Sequence, residues 1–177
     1  MQRWWLPSTA APALTRRQLL AGMAALCALT SWGAPATAAA DPTTPPSPNP
    51  AISHTDAEWR QLLTPSQYQI LRQAGTETPY SSSLNNEHRG GVFSCAGCGL
   101  DLFSSATKFD SGTGWPSFWQ PLPNAVSERP DNGSGMTRTE VLCRRCAGHL
   151  GHVFDDGPRP TGLRYCMNGA AMNFRAT

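Results

Sequence analysis

Several things are scarce or missing in this chain, and each absence excludes something. No apolar run reaches the ~20 residues that a bilayer-spanning helix needs; the run from Leu19 to Leu29 stops short of it. There is no excess of positive charge. Beyond residue 40, eleven Lys/Arg face twelve Asp/Glu, and the pI of about 8.3 owes part of its value to Arg3, Arg16 and Arg17. Nothing here has the basic footprint of a nucleic-acid binder. No fixed-length repeat is present, which argues against solenoids and propellers. After Pro79 no long helical period survives. Histidine is also scarce: four in 177 residues, two of them within the hexapeptide His149-Leu150-Gly151-His152-Val153-Phe154.

What is present begins with a leader. Thr15-Arg16-Arg17-Gln18-Leu19-Leu20 has the form of a twin-arginine signal, followed by the apolar run and then the small-residue stretch Ala34-Pro35-Ala36-Thr37-Ala38-Ala39-Ala40. This order is that of an export signal. A membrane anchor or buried helix is the competing reading, and the length of the run opposes it. Cleavage is expected after Ala40, with the position after Ala38 second. Cys27 would leave with the leader; preceded by Leu26, it is a poor site for a lipid. The expected division is residues 1–40 as signal, 41–52 as a Pro-rich linker and 53–177 as one domain. The domain would be exported, to the periplasm or another extracytoplasmic space, already folded and without a stable membrane anchor.

The stretch from Asp41 to Pro50 holds five prolines and should be extended, packing against nothing. From Ser53 the pattern turns helical. Ser53-His54-Thr55-Asp56 offers a capping start, and Trp59, Leu62 and Leu63 share a face. Thr64-Pro65 opens a second helix with Tyr68, Ile70 and Leu71 on its apolar side, and Gly75 ends it. Both should pack on the outside of the domain. Beyond them Gly91–Ser94, Val141-Leu142, His152–Phe154 and Met172–Phe174 read as short strands between turn residues. The fold class is mainly β, in antiparallel sheets, with a short helical N-terminal extension.

Five cysteines remain after the leader. Cys95-Ala96-Gly97-Cys98 and Cys143-Arg144-Arg145-Cys146 are two Cys-x-x-Cys knuckles, separated by 44 residues. Four thiolates suit the tetrahedral preference of zinc, and the small residues after each pair let backbone amides turn toward sulfur. One structural zinc ion would clip two distant strands together. Two disulfides compete, since the destination is oxidising. However, a disulfide inside one Cys-x-x-Cys closes a very short loop and is usually redox-active. Cys166 stands outside both pairs, in Arg164-Tyr165-Cys166-Met167-Asn168-Gly169. It could be a small buried hydrophobe. It could also be a nucleophile, because a nearby cation favours the reactive thiolate.

Taken one by one, a loop tryptophan and two histidines would be packing residues. Their order says more. Cys-x-x-Cys, Gly114-Trp115-Pro116-Ser117-Phe118, Cys-x-x-Cys, His149-Leu150-Gly151-His152-Val153-Phe154 and Arg164-Tyr165-Cys166-Met167-Asn168 together resemble the methionine sulfoxide reductase B family. The resemblance extends over Trp59 to Phe174 and includes Leu63-Thr64-Pro65, Gly75-Thr76-Glu77 and Asp156-Gly157-Pro158. It implies two antiparallel sheets, zinc on Cys95, Cys98, Cys143 and Cys146 far from the reaction centre, and reduction of the R epimer of methionine sulfoxide, in oxidised proteins or peptides. It also implies Cys166 as nucleophile and Trp115 as the wall receiving the methyl group. Around them His149, His152, Asp156, Arg164 and Asn168 would form a polar shell. Such residue types suit the chemistry: either histidine can bring a proton to the leaving oxygen, with His152 favoured.

The family often carries a resolving cysteine in the loop before Trp115, where this chain has Thr113. Cys166 therefore has no thiol partner within the domain. A sulfenic acid on Cys166 is expected to be reduced by an outside thiol, either a thioredoxin-like protein or a small thiol. The expected enzyme is monomeric. Two other classes stay open on sequence alone: a zinc-ribbon binding module, indifferent to Cys166→Ser, and a metal-free oxidoreductase working through one Cys-x-x-Cys pair.

Overall fold

The computed structural model describes residues 50–135 and 137–177. The expected signal and all but the end of the expected linker lie outside that range. No helix among the described residues is long and apolar enough to cross a membrane.

The two expected helices are present. α1 (Asp56–Leu62) starts at Thr55, whose hydroxyl accepts from the Glu58 amide while the Glu58 carboxylate accepts from the Thr55 amide. α2 (Pro65–Gln73) repeats the device with Thr64 and Gln67, and Pro65 sits in the first turn, where no amide proton is needed. The left-handed residue that ends α2 is Ala74 rather than Gly75; the Gly75 amide then closes onto the Gln69 carbonyl at 3.0 Å. The helices do more than cover the outside. Trp59 and Leu71, each 2% exposed, reach the knuckle glycines: a Cβ on Gly97 would meet both at 3.5 Å, and one on Gly148 would meet Leu71 at 3.0 Å. Ile52, just past the prolines, is already tied down by its amide on the Arg145 carbonyl at 3.0 Å.

Nine strands follow among the described residues: β1 (Gly91–Cys95), β2 (Asp101–Ser104), β3 (Lys108–Phe109), β4 (Ser117–Phe118), β5 (Val126–Asp131), β6 (Arg138–Cys143), β7 (His149–Phe154), β8 (Arg164–Met167) and β9 (Met172–Ala176). They form two antiparallel sheets, ordered β2-β1-β9 and β3-β4-β8-β7-β6-β5. The fold is mainly β, as expected. Aromatic rings fill the core: Phe103 stacks on Phe118 at 4.4 Å between centroids, Phe93 meets Phe118 edge-on at 5.0 Å, and Phe93, Phe103 and Phe118 are 0% exposed. Burying each such ring contributes on the order of 2–3 kcal/mol.

Candidate active site

Four of the cysteines form one cluster. Cys95 ends β1 in the smaller sheet and Cys143 ends β6 in the larger, so the two knuckles bring the sheets together. Left-handed backbone at Gly99 and Ala147 turns each knuckle, and the amides of Leu100 and Cys146 bond to the sulfurs of Cys98 and Cys143. The four sulfurs lie within 4.8 Å of one another, with Cys95–Cys146 at 3.7 Å and Cys98–Cys143 at 3.5 Å. Bonds of ~2.3 Å to a tetrahedral ion require sulfur–sulfur edges of about 3.8 Å. The donor set therefore fits a thiolate-bound metal, and both close contacts run between knuckles rather than within one.

Cys166 lies elsewhere, in the middle of β8, between β4 and β7. Ser117 is its register partner on one side and His152 on the other. It opens onto a pocket of about 130 Å³ lined also by Thr76, Trp115, Arg138, Gly151, His152, Phe154 and Asn168. None of the four clustered cysteines lines this pocket.

The two histidines are three residues apart on a strand, which in a regular strand would send them to opposite faces. A register shift prevents this. Val141 pairs with Gly151 but Leu142 pairs with His149, leaving Leu150 over as a bulge. The rings consequently meet edge-on, 5.4 Å apart. His149 is outside the pocket lining and 3% exposed, with Nδ1 2.6 Å from Oε1 of Glu140. Burial holds its pKa below the ordinary histidine value. Glu140 resists burial and stays below the ordinary glutamate range because Arg129 and His149 both hydrogen-bond to it. A neutral ring beside a carboxylate carries its proton on Nδ1 and donates it, so Nε2 presents a lone pair, with no partner among the described residues. His152 lines the pocket, and its Nε2 lies 2.8 Å from Oδ2 of Asp131. The same oxygen accepts from Arg138 at 2.7 Å. The bond with His152 leads the causes that keep Asp131 well below the usual carboxylate range.

The other expected residues fall into two groups. Trp115 is held as a pocket wall by its Nε1–H on the Glu77 carbonyl at 3.1 Å. Asn168 also lines the pocket, and both ends of its side chain are held: Oδ1 accepts from the Glu77 amide at 2.9 Å and Nδ2 donates to the Leu150 carbonyl at 3.0 Å. Arg164 and Asp156 form a fork at 2.8 Å and 2.8 Å outside the pocket lining, with the guanidinium 4.4 Å above the Phe154 ring. Arg164 still reaches Cys166 and favours its thiolate, as does Thr113, whose Oγ1 lies 3.9 Å from Sγ. Burial outweighs both and pushes the Cys166 thiol up.

Arg138, Asp131 and Glu140 carry no local motif that marks them for this site, and Thr76 and Phe154 stand out in the sequence only as members of motifs. Glu77 had been noted only as part of a motif. Its carboxylate accepts from the Gly169 amide at 2.6 Å and the Ala170 amide at 2.9 Å, fixing the turn directly after Asn168.

The family model described as the SelR domain matches residues 63–176. The chain belongs to the methionine sulfoxide reductase B family. Relatives described as "Peptide methionine sulfoxide reductase MsrB" agree along nearly their whole lengths. The one from Thiobacillus denitrificans is 58% identical over 121 residues, covering 68% of this chain and 92% of its own. That from Leptospira interrogans is 52% identical over 128 residues, covering 72% and 98%. An archaeal relative from Methanosarcina barkeri is 52% identical over 126 residues, covering 71% and 89%. In this MsrB-family chain the matched region contains the cysteine cluster and the Cys166 pocket together.

Proposed function

We propose that this chain is a peptide-methionine (R)-S-oxide reductase that uses Cys166 as its nucleophile and an outside thiol as its reductant. The observation that carries the reading is the position of Cys166: a lone thiol in a small pocket with one aromatic wall, while the other four described cysteines are gathered elsewhere. Sulfoxide reductases need a sulfur nucleophile facing the sulfoxide sulfur, an apolar surface for its methyl group and a proton for its oxygen. Sγ of Cys166, the Trp115 ring and the His152 imidazole line one pocket and match those needs.

In the reaction Sγ of Cys166 attacks the sulfoxide sulfur while the oxygen takes up two protons and leaves as water; water then attacks Sγ, the new sulfur–sulfur bond breaks with its electron pair staying on methionine, and one proton is released. The sulfoxide gains two electrons and becomes methionine; Cys166 loses two and becomes a sulfenic acid. His152 is the favoured proton carrier because it lines the pocket, whereas His149 packs edge-on against it from outside the lining. Arg164, held by Asp156, assists thiolate formation. Asn168 acts as a positioning residue that ties β8 to β7 and to the Glu77 segment.

Thr113 stands near Sγ where a second thiol would otherwise resolve the sulfenic acid. An outside thiol, small or on a thioredoxin-like protein, attacks Sγ, water leaves and a mixed disulfide forms. A second thiol then releases Cys166. Zinc is the ion expected on Cys95, Cys98, Cys143 and Cys146, as a structural clip. The twin-arginine pair and the apolar run of residues 1–40 support export of the 53–177 domain to an extracytoplasmic space. There oxidised proteins or peptides would be its substrates, and a monomer suffices.

The test is a thiol-coupled assay with separate R and S epimers of a methionine sulfoxide peptide. The R epimer alone should be reduced, and Cys166→Ser should lower that rate by about 10³-fold or more. Equal activity of Cys166→Ser would refute the reading.

A further inference from the structure

A ring serves as a wall only if both its root and its far edge are held. The root of Trp115 is held by the sheet: the next residue, Pro116, accepts on its carbonyl from the Met167 amide at 2.9 Å, and Ser117 pairs with Cys166. The far edge is held by Glu77, whose carbonyl accepts from the indole Nε1–H at 3.1 Å. Glu77 itself lies between α2 and β1, in neither helix nor strand. Its direction is fixed from one place, the turn Asn168–Ala170 that begins two residues after Cys166. The Glu77 amide donates to Asn168 Oδ1 at 2.9 Å, and its carboxylate accepts from the amides of Gly169 at 2.6 Å and Ala170 at 2.9 Å. Amide and indole N–H groups only donate, so the sense of all four bonds is settled by the atoms that make them. Residues further along the same segment grip the loop of the wall: the Tyr80 amide and Asn85 Nδ2 both donate to the Gly114 carbonyl at 2.7 Å. Glu77 is the joint at which the turn after the nucleophile meets the edge of the wall.

We propose that Glu77 sets the width of the Cys166 pocket, and with it the size of the alkyl group the sulfoxide can carry, by fixing the Trp115 ring relative to the turn after the nucleophile. The proposal rests on the reading of Cys166 as nucleophile and Trp115 as wall. Glu77 is a positioning residue, since it is not in the pocket lining and acts through Trp115 and Asn168. The pocket holds about 130 Å³, so an alkyl group larger than methyl has to push the ring outward. The ring yields in one of two ways. Its Nε1–H leaves the Glu77 carbonyl, or Glu77 moves with it. The carboxylate opposes the second course, because a carboxylate accepting from two backbone amides is a stronger tie than a single neutral bond. Without it Glu77 hangs from Asn168 by its amide alone, and its carbonyl swings with the ring. The acid therefore works at a distance from the chemistry: it keeps the wall close enough to fit a methyl group and stiff enough to refuse a longer one.

Two measurements on the reduced, zinc-loaded full chain test this. The first is hydrogen exchange of the Trp115 indole by proton–nitrogen NMR, its resonance assigned by its loss in Trp115→Phe. Glu77→Ala should speed that exchange by about tenfold or more. Glu77→Gln, which keeps one acceptor oxygen, should speed it by less. The second is reduction of the R epimers of methionine sulfoxide and ethionine sulfoxide in the same peptide. The unaltered chain should prefer the methyl substrate by about 10- to 200-fold in kcat/KM. Glu77→Ala should cut that preference by roughly three- to tenfold, with the methyl substrate losing rate and the ethyl substrate holding or gaining. If Glu77→Ala does not fold, Glu77→Gln carries both readings. Unchanged indole exchange overturns the proposal. So does an intact methyl preference, or an equal loss on both substrates, which is the mark of a merely weakened fold. The indole exchange is decided even if the unaltered protein reduces no sulfoxide; the epimer assay settles that separately.

Discussion

Cys166 and His149 both carry less charge than their neighbours would suggest, and for the same reason. Each is buried next to groups that would favour its ionised form, Arg164 for the thiol and Glu140 for the imidazole, and in each case burial wins. For His149 the sign can be worked through. Its ordinary value is 6.5 and its value in the fold is lower. Between the two, the unfolded chain binds a proton that the folded chain refuses. Its contribution to stability is therefore complete above pH 6.5 and is lost as pH falls through the lower, folded value. Nitrogen-detected NMR of the imidazole should find His149 neutral, with its proton on Nδ1, at pH 6.5. A ring half-protonated there, or one with its proton on Nε2, contradicts the arrangement with Glu140. That Cys166 and Trp115 belong to one site was legible from the resemblance because their motifs are local, and both line one pocket. The Asp131–His152 and Glu140–His149 pairs were not, because each joins strands whose order no local pattern reveals.

At the scale of elements, the site depends on how β7 lies against β8. The bulge at Leu150 returns His149 to the side of His152, and Gly151 lets the strands close above Cys166. A Cβ on Gly151 would stand 2.1 Å from the Cys166 carbonyl oxygen and 3.0 Å from the Met167 Cα, both rigid backbone atoms. Gly151→Ala is thus expected to cost about 1–3 kcal/mol of stability. It should also displace Cys166, cutting R-epimer reduction at least tenfold while zinc stays bound; denaturant melts, zinc content and turnover together check this. Retained turnover would show that the strands can part without harm to the pocket. From sequence, the runs around Gly91, Val141, His152 and Met172 read as strands because apolar and β-branched residues cluster there. β5 and the two-residue strands β3 and β4 did not. Val126–Asp131 contains Glu128, Pro130 and Asp131, and only pairing with β6 makes it a strand.

For the whole molecule, among the described residues, the cysteine cluster and the Phe93–Phe103–Phe118 core both join the smaller sheet to the larger, and the helices rest against the cluster. Knuckle one follows β1, knuckle two follows β6, Leu71 rests on both and Trp59 on the first. Stripping the ion with a strong chelator should therefore lower Tm by more than about 15 °C, since a structural zinc site contributes folding energy outright. A Tm unchanged after verified metal loss would mean that the aromatic core alone holds the sheets. The cluster was legible because the spacing within each Cys-x-x-Cys pair is local, although disulfides competed for the same residues. The helices' seat on it was not, since an apolar helix face does not name what it covers. The same partition of thiols underlies the catalytic reading: four cysteines belong to the clip and Cys166 stands without a partner. The most direct test is a single turnover without reductant, giving zinc-loaded protein one equivalent of R-methionine sulfoxide and measuring intact mass, with dimedone to locate the product. The account predicts the gain of one oxygen atom, trapped on Cys166, and one equivalent of methionine. Loss of two hydrogens, the mark of an internal disulfide, or methionine release with no change at Cys166, would contradict it.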